Sequence, residues 1–222
     1  LMAYAPGTLD EARSLLVATH LTLCPTCRQT VSLFESISAE MAFDAEQVPM
    51  ANGTLDALMA RLDDTSQTAA SVTQVAPPAV VSEIKIAGRP VPQPLAPYLA
   101  GITSENDLDW RSVSSARDMW DGPVAEDALK TRLLRVKGGR RMPEHTHMGE
   151  EMILVLTGGF TDERGHYVRG DVSVSDDTQQ HSPIADEGED CIALVFRVDW
   201  INVMICFFFQ AEDGIRDYKV TG

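Results

Sequence analysis

Two sets of metal-binding side chains, more than a hundred residues apart, restrict what this chain can fold into more than any other feature. His20, Cys24 and Cys27 make a compact H-x3-C-x2-C cluster, and His145, His147, Glu151 and His181 form a second set far downstream. Thiolates beside an imidazole suit a tetrahedral structural zinc, whose binding contributes folding free energy directly. Three imidazoles and a carboxylate are less selective and can take Zn2+, Mn2+, Fe2+, Ni2+ or Cu2+. The chain is therefore expected to hold one local, sulfur-rich site and one assembled from separate strands.

Residues 1–63 read as a small all-α domain. Thr8-Leu9-Asp10-Glu11 has the form of a capping box. Leu9, Ala12, Leu15, Leu16 and Thr19 then recur at three- and four-residue intervals, one apolar stripe of a helix. Pro25 suits the first turn of a second helix, where its missing N–H costs nothing. That helix would carry Val31, Leu33, Phe34, Ile37 and Met41, and Gly53-Thr54 would open a third with Leu55, Leu58 and Leu62. Three short helices enclose little core, so a metal staple is expected among them.

From 64 to 97 Ser, Thr, Ala and Val dominate, with prolines at 77, 78, 90, 92, 94 and 97. Repeated proline opposes helices and central strands, which predicts a semi-rigid linker. Within it, Ile84-Lys85-Ile86 is patterned for a short strand. Residues 98–202 turn to β. Strands are expected around Leu129–Val136, Met152–Leu156, Tyr167–Arg169, Val172–Val174 and Cys191–Phe196, with glycine-bearing turns between them.

Gly139-x5-His145-x-His147-x3-Glu151-x6-Gly158 resembles the first cupin motif at every defined position. The spacing is physically sensible, since residues two apart on a strand project to one face. Gly170 precedes His181 by eleven residues, as in the second cupin motif, although Asp176 and Thr178 stand where that motif has Pro and Gly. The fold class is thus α+β, a helical zinc-binding domain joined to a β-barrel of the cupin type. Cupins range from dioxygenases to proteins that only bind, so the barrel alone does not decide function. Four closed ligands would make the metal structural or sensory, whereas an open position holding water would permit catalysis.

His20 should end the first helix, with Cys24 and Cys27 opening the second, so that the three converge at a corner. A redox C-x2-C would need a preceding strand and a βαβ context that this helical segment lacks. Three ligands are local, and the fourth that zinc requires is expected upstream of Leu1 or from elsewhere in the chain.

The whole arrangement resembles the ChrR family of zinc-binding anti-sigma factors, most closely from Ala3-Tyr4-Ala5-Pro6-Gly7-Thr8-Leu9 through Val17-Ala18-Thr19-His20-Leu21-Thr22-Leu23-Cys24-Pro25-Thr26-Cys27. The resemblance implies Zn2+ at His20, Cys24 and Cys27, with the family's upstream histidine falling before Leu1. It implies a second zinc at His145, His147, Glu151 and His181. It also implies a cytoplasmic protein whose helical domain sequesters an extracytoplasmic-function sigma factor. The cupin domain would serve in the release of that factor under singlet oxygen or peroxide. The competing reading is a metal-dependent cupin oxidoreductase with an N-terminal zinc appendage. Most small cupin enzymes lack such a helical domain.

A formal charge of −15 and a pI near 4.6 argue against direct contact with nucleic acid or anionic membrane. Four cysteines, two of them isolated, do not make a disulfide scaffold and fit a reducing compartment. No secretory leader or membrane span is visible, and the start at Leu1 predicts that the natural beginning is missing. The segment from Cys206 to Gly222 resembles translated sequencing-adapter read-through, so 203–222 is expected to be a non-native tail. His166 and Arg140-Arg141 read as solvated turn residues, and Cys191 as a buried hydrophobe.

Overall fold

A computed structural model describes residues 1–44, 46, 48–63, 84–126, 129–146 and 149–198. His147, the linker expectation for 64–83 and the tail 203–222 lie outside the described residues.

Helix α1 (Glu11–Leu23) is capped by Asp10, whose carboxylate accepts the Arg13 N–H at 2.9 Å. The capping box expected from Thr8 therefore does not form. Thr8 Oγ1 donates instead to the Ala3 carbonyl at 2.9 Å and closes the turn before the helix. Asp10 holds the cap because its carboxylate also pairs with the Arg13 side chain and meets the positive helix end. Ala12, Leu15, Leu16 and Thr19 are buried, as the stripe requires. The buried Thr19 hydroxyl is satisfied by the Leu15 carbonyl at 2.7 Å.

Helix α2 (Pro25–Phe43) starts at proline as expected, yet among its residues only Val31 is buried. Leu33, Ile37, Met41 and Phe43 are exposed, as are Leu55, Leu58 and Met59 of α3 (Thr54–Asp63). The apolar residues of the second and third helices thus do not form the expected three-helix core. Among the described residues no helix is long and apolar enough to cross a membrane.

The stripe of α1 is buried against strands instead. These are β1 (Lys85–Ile86), β2 (Arg89–Pro90), β3 (Arg111–Ser114), β4 (Arg117–Glu126), β5 (Leu129–Val136), β6 (Glu151–Thr157), β7 (Gly159–Asp162), β8 (Gly165–Val168), β9 (Val172–Ser175), β10 (Ile184–Ala185) and β11 (Cys191–Val198). They form an antiparallel six-stranded sheet, β3-β4-β5-β11-β6-β9, facing a three-stranded sheet, β10-β7-β8, with β1-β2 as a separate hairpin. At the centre, β6 and β11 are nearly continuous apolar runs because both faces are covered. Leu154, Leu156, Ile192, Leu194 and Phe196 face outward, into one core with Ala12, Leu15 and Leu16 of α1. Ile153, Val155, Cys191, Ala193 and Val195 face inward, with Phe160 and Ala185 of the smaller sheet. Side-chain alternation assigns each residue to its core.

The expectation that the linker reaches 97 is corrected by the segment from Ile84 onward. Ile84, Ile86, Leu95 and Leu99 are buried in the outer core beside α1. Its prolines are tolerated for local reasons: Pro90 lies in a two-residue strand, and Pro97 in the first turn of a 3-10 helix over Ala96–Leu99. Trp110 donates its indole N–H to the Glu105 carbonyl at 2.7 Å and lies under the Arg135 guanidinium.

Leu16 is fully buried where helix meets sheet. Leu16→Ala is expected to lower stability by about 2–4 kcal/mol, the usual range for emptying such a site. A urea midpoint shift at constant slope would show it.

Candidate metal centres

Cys24 is at once the C-cap of α1 and the N-cap of α2, with φ −114° and ψ 101°. Its N–H still bonds the His20 carbonyl at 3.0 Å, so a single extended residue turns the chain from one helix into the next. Pro25 enforces that break, because it cannot continue the first helix but fits the first turn of the second. His20 therefore sits in the last turn of α1, and Cys27 in the first turn of α2. Ligand atoms of His20, Cys24 and Cys27 all lie within 4.8 Å of one another. Bond lengths to tetrahedral zinc place its ligand atoms about 3.5–4 Å apart, so the cluster fits such an ion. Among the described residues no other three His, Cys, Asp or Glu side chains approach one another this closely.

The two thiols are inequivalent. The backbone N–H of Cys27 and then its side chain hold the Cys24 thiol below the ordinary cysteine range, with help from Arg28. Burial, and then the neighbouring Cys24, push Cys27 up. Such a pair gives up its first proton readily at Cys24, as a thiolate ligand must. His20 has a partner that sequence reading missed: its Nδ1 lies 2.7 Å from the carbonyl oxygen of Gly170, in the turn before β9.

In the barrel, His145 and His181 pair as an isolated antiparallel bridge, each N–H donating to the other's carbonyl at 3.0 Å. Their ring centroids are 4.6 Å apart. The Pro143 carbonyl accepts a hydrogen bond from His145 Nδ1 at 2.7 Å, so Nδ1 carries the proton and, in the neutral ring, Nε2 keeps its lone pair. Glu151 is buried at the start of β6, on the inward-facing phase with Ile153 and Val155. The structure thus brings His145 and His181 together and puts Glu151 on the lumen side.

Behind His181 lies a carboxylate that the motif did not single out. Asp162 Oδ2 is 3.6 Å from His181 Nδ1, and its side chain is fully covered. Its other oxygen accepts the N–H groups of Arg164 and Gly165 at 2.8 and 3.2 Å. Carboxylates in this position commonly orient metal-binding imidazoles. The signal was present in Asp162-Glu163-Arg164-Gly165, which reads only as a turn until the fold folds it back on His181. Arg164 then ties this turn to β9 through Ser173 and Ser175, at 2.6 and 2.8 Å. Where the cupin pattern has Pro and Gly, Asp176 Oδ1 accepts from both the N–H and the hydroxyl of Thr178. The Asx turn so formed serves the same bend.

His166 is exposed and bonds Asp186 at 2.8 Å. Cys191 is buried in the inner core, and desolvation pushes its thiol up to about 12.

A helical head carrying a clustered histidine and two cysteines, docked on a cupin-like β domain with histidines of its own, defines a two-part class of protein. Residues 101–200 match the ChrR cupin-like domain family. Over 194 residues the chain is 37% identical to the anti-sigma-E factor ChrR of Cereibacter sphaeroides, covering 87% of this chain and 84% of that protein. It also resembles the crystal structure of Rhodobacter sphaeroides SigE in complex with the anti-sigma ChrR. There the TM-score is 0.68 at 33% identity, over 88% of this chain and 93% of the other. The chain belongs to the ChrR family of anti-sigma factors.

Proposed function

We propose that this protein sequesters an extracytoplasmic-function sigma factor through its helical head and releases it under oxidative stress. The observation carrying this reading is a similarity that spans head and barrel alike, to a ChrR protein crystallised with its sigma factor. The surface agrees. Leu33, Ile37, Met41 and Phe43 of α2, with Leu55, Leu58 and Met59 of α3, are large apolar side chains exposed to water. Apolar clusters of this kind mark interaction surfaces. A chain of net charge −15 also complements the basic surfaces of a protein that binds nucleic acid.

In this reading His20, Cys24 and Cys27 hold Zn2+, and His145, His147, Glu151 and His181 hold Zn2+ or another divalent ion. Bound zinc supplies cross-linking at the first site, fixing the angle at which α2 leaves α1. The barrel serves as sensor, and the protein works in the cytoplasm beside RNA polymerase. A regulatory rather than enzymatic role is supported by the similarity to an anti-sigma factor and to a structure of that factor in complex with its sigma partner.

Copurification of the full chain with its sigma factor tests the proposal. Ile37→Asp with Met41→Asp is expected to weaken the complex about 100-fold or more, as when a desolvated interface centre is lost. Unchanged affinity by calorimetry would place the binding surface elsewhere.

A further inference from the structure

Helix α1 touches the barrel through polar contacts at both of its ends. Near its start Arg13 Nε donates to Glu150 at 2.8 Å, and the same guanidinium lies over the Phe196 ring. In its last turn His20 Nδ1 meets the Gly170 carbonyl at 2.7 Å. A carbonyl oxygen only accepts, so Nδ1 carries the proton and Nε2 keeps the lone pair that a metal shared with Cys24 and Cys27 would use. The barrel thereby selects the ligating tautomer of a residue in the helical head.

The Gly170 corner is rigidly held. Gly170 N–H donates to the Val155 carbonyl at 2.9 Å, and Val155 N–H returns to Asp171 at 3.1 Å. The corner needs glycine, because φ is +97° and a Cβ would lie 3.3 Å from Leu23 Cβ. Val155 belongs to β6, whose first residue, Glu151, is a candidate ligand of the barrel metal. Glu150, the partner of Arg13, directly precedes it. One strand thus adjoins both ends of α1 and carries a member of the second ligand set.

We propose that Gly170 is the outer-shell partner that orients His20, so that the metal affinity of the helical head depends on docking against the barrel. The inference rests on the reading of His20, Cys24 and Cys27 as a metal site. Linkage then requires reciprocity. Metal in the head tightens the Gly170 corner, and loosening that corner weakens the metal by the same factor.

The full-length chain, loaded with Co2+ as a probe, tests this. Charge-transfer absorption from thiolate to cobalt reports the Cys24–Cys27 site and is silent for a sulfur-free site in the barrel. Gly170→Ala is expected to lower cobalt affinity at the thiolate site about 10- to 100-fold, the usual cost of disturbing an outer-shell contact. Arg13→Gln undocks the opposite end of α1 without touching a ligand, and it should weaken the same absorption-detected binding. This second variant carries the test if Gly170→Ala does not fold. In 15N spectra of the zinc-loaded protein, His20 should show a protonated Nδ1 and a metal-bound Nε2. Wild-type affinity in both variants, or zinc on Nδ1, would overturn the proposal. Absence of the thiolate absorption in the unaltered chain would instead overturn the metal-site reading beneath it.

Discussion

A chain carrying Cys24→Ser and Cys27→Ser together is expected to lose sigma-factor binding while its barrel stays folded. Structural zinc contributes about 10–16 kcal/mol in small zinc-finger peptides, far more than the few apolar contacts α2 makes here. Only Val31 of α2 is buried among the described residues, so little apolar packing fixes its direction. Helix α1 differs, because Ala12, Leu15 and Leu16 lie in the core of the sheet. Hydrogen exchange should therefore show α2 amides losing protection while those of Leu15 to Thr19 keep theirs. Pull-down of the sigma factor should fail, and its target genes should become constitutive. Full repression by the double variant would remove the metal from the binding mechanism.

The opposite separation is expected at Glu151. This carboxylate is 7% exposed and lies on the lumen side of β6. Glu151→Gln keeps its shape, removes its charge and leaves the head intact. On the proposed reading of Glu151 as a ligand, the change should weaken barrel metal binding by more than the roughly 10- to 100-fold cost of an outer-shell change. Sigma binding without oxidant should stay near the unaltered level, and release after singlet oxygen or peroxide should be lost. Measuring complex dissociation before and after oxidant distinguishes the cases. Normal release by this variant would exclude Glu151 from sensing, and metal-dependent turnover of a small substrate would restore the oxidoreductase reading.

The clustering of His20, Cys24 and Cys27 was legible because it is set by local geometry. A histidine at a helix end, a one-residue break and a proline-started helix bring the three side chains together. Strands β6 and β11 were legible for a different reason, since unbroken apolar runs announce burial on both faces. What covered the outer face was not. Ile84, Ile86, Leu95 and Leu99 stand among prolines, and proline-rich composition outweighed their apolar side chains. The cap of α1 was displaced by two residues because Thr8 and Asp10 are both good caps, and the ion pair with Arg13 decides between them. Asp162 and Gly170 meet His181 and His20 only through the return of β7, β8 and β9, contacts that no local pattern encodes.

Because α1 forms a layer of the barrel's own packing, the boundary between folding units does not coincide with the boundary between functions. A protease cut between Asp63 and Ile84 would sever the peptide without parting the pieces, since Leu16 and its neighbours would still bind the sheet. A barrel produced without its helix would present bare Leu194 and Phe196 and tend to self-associate, so dissection of this protein should retain α1 on the barrel side.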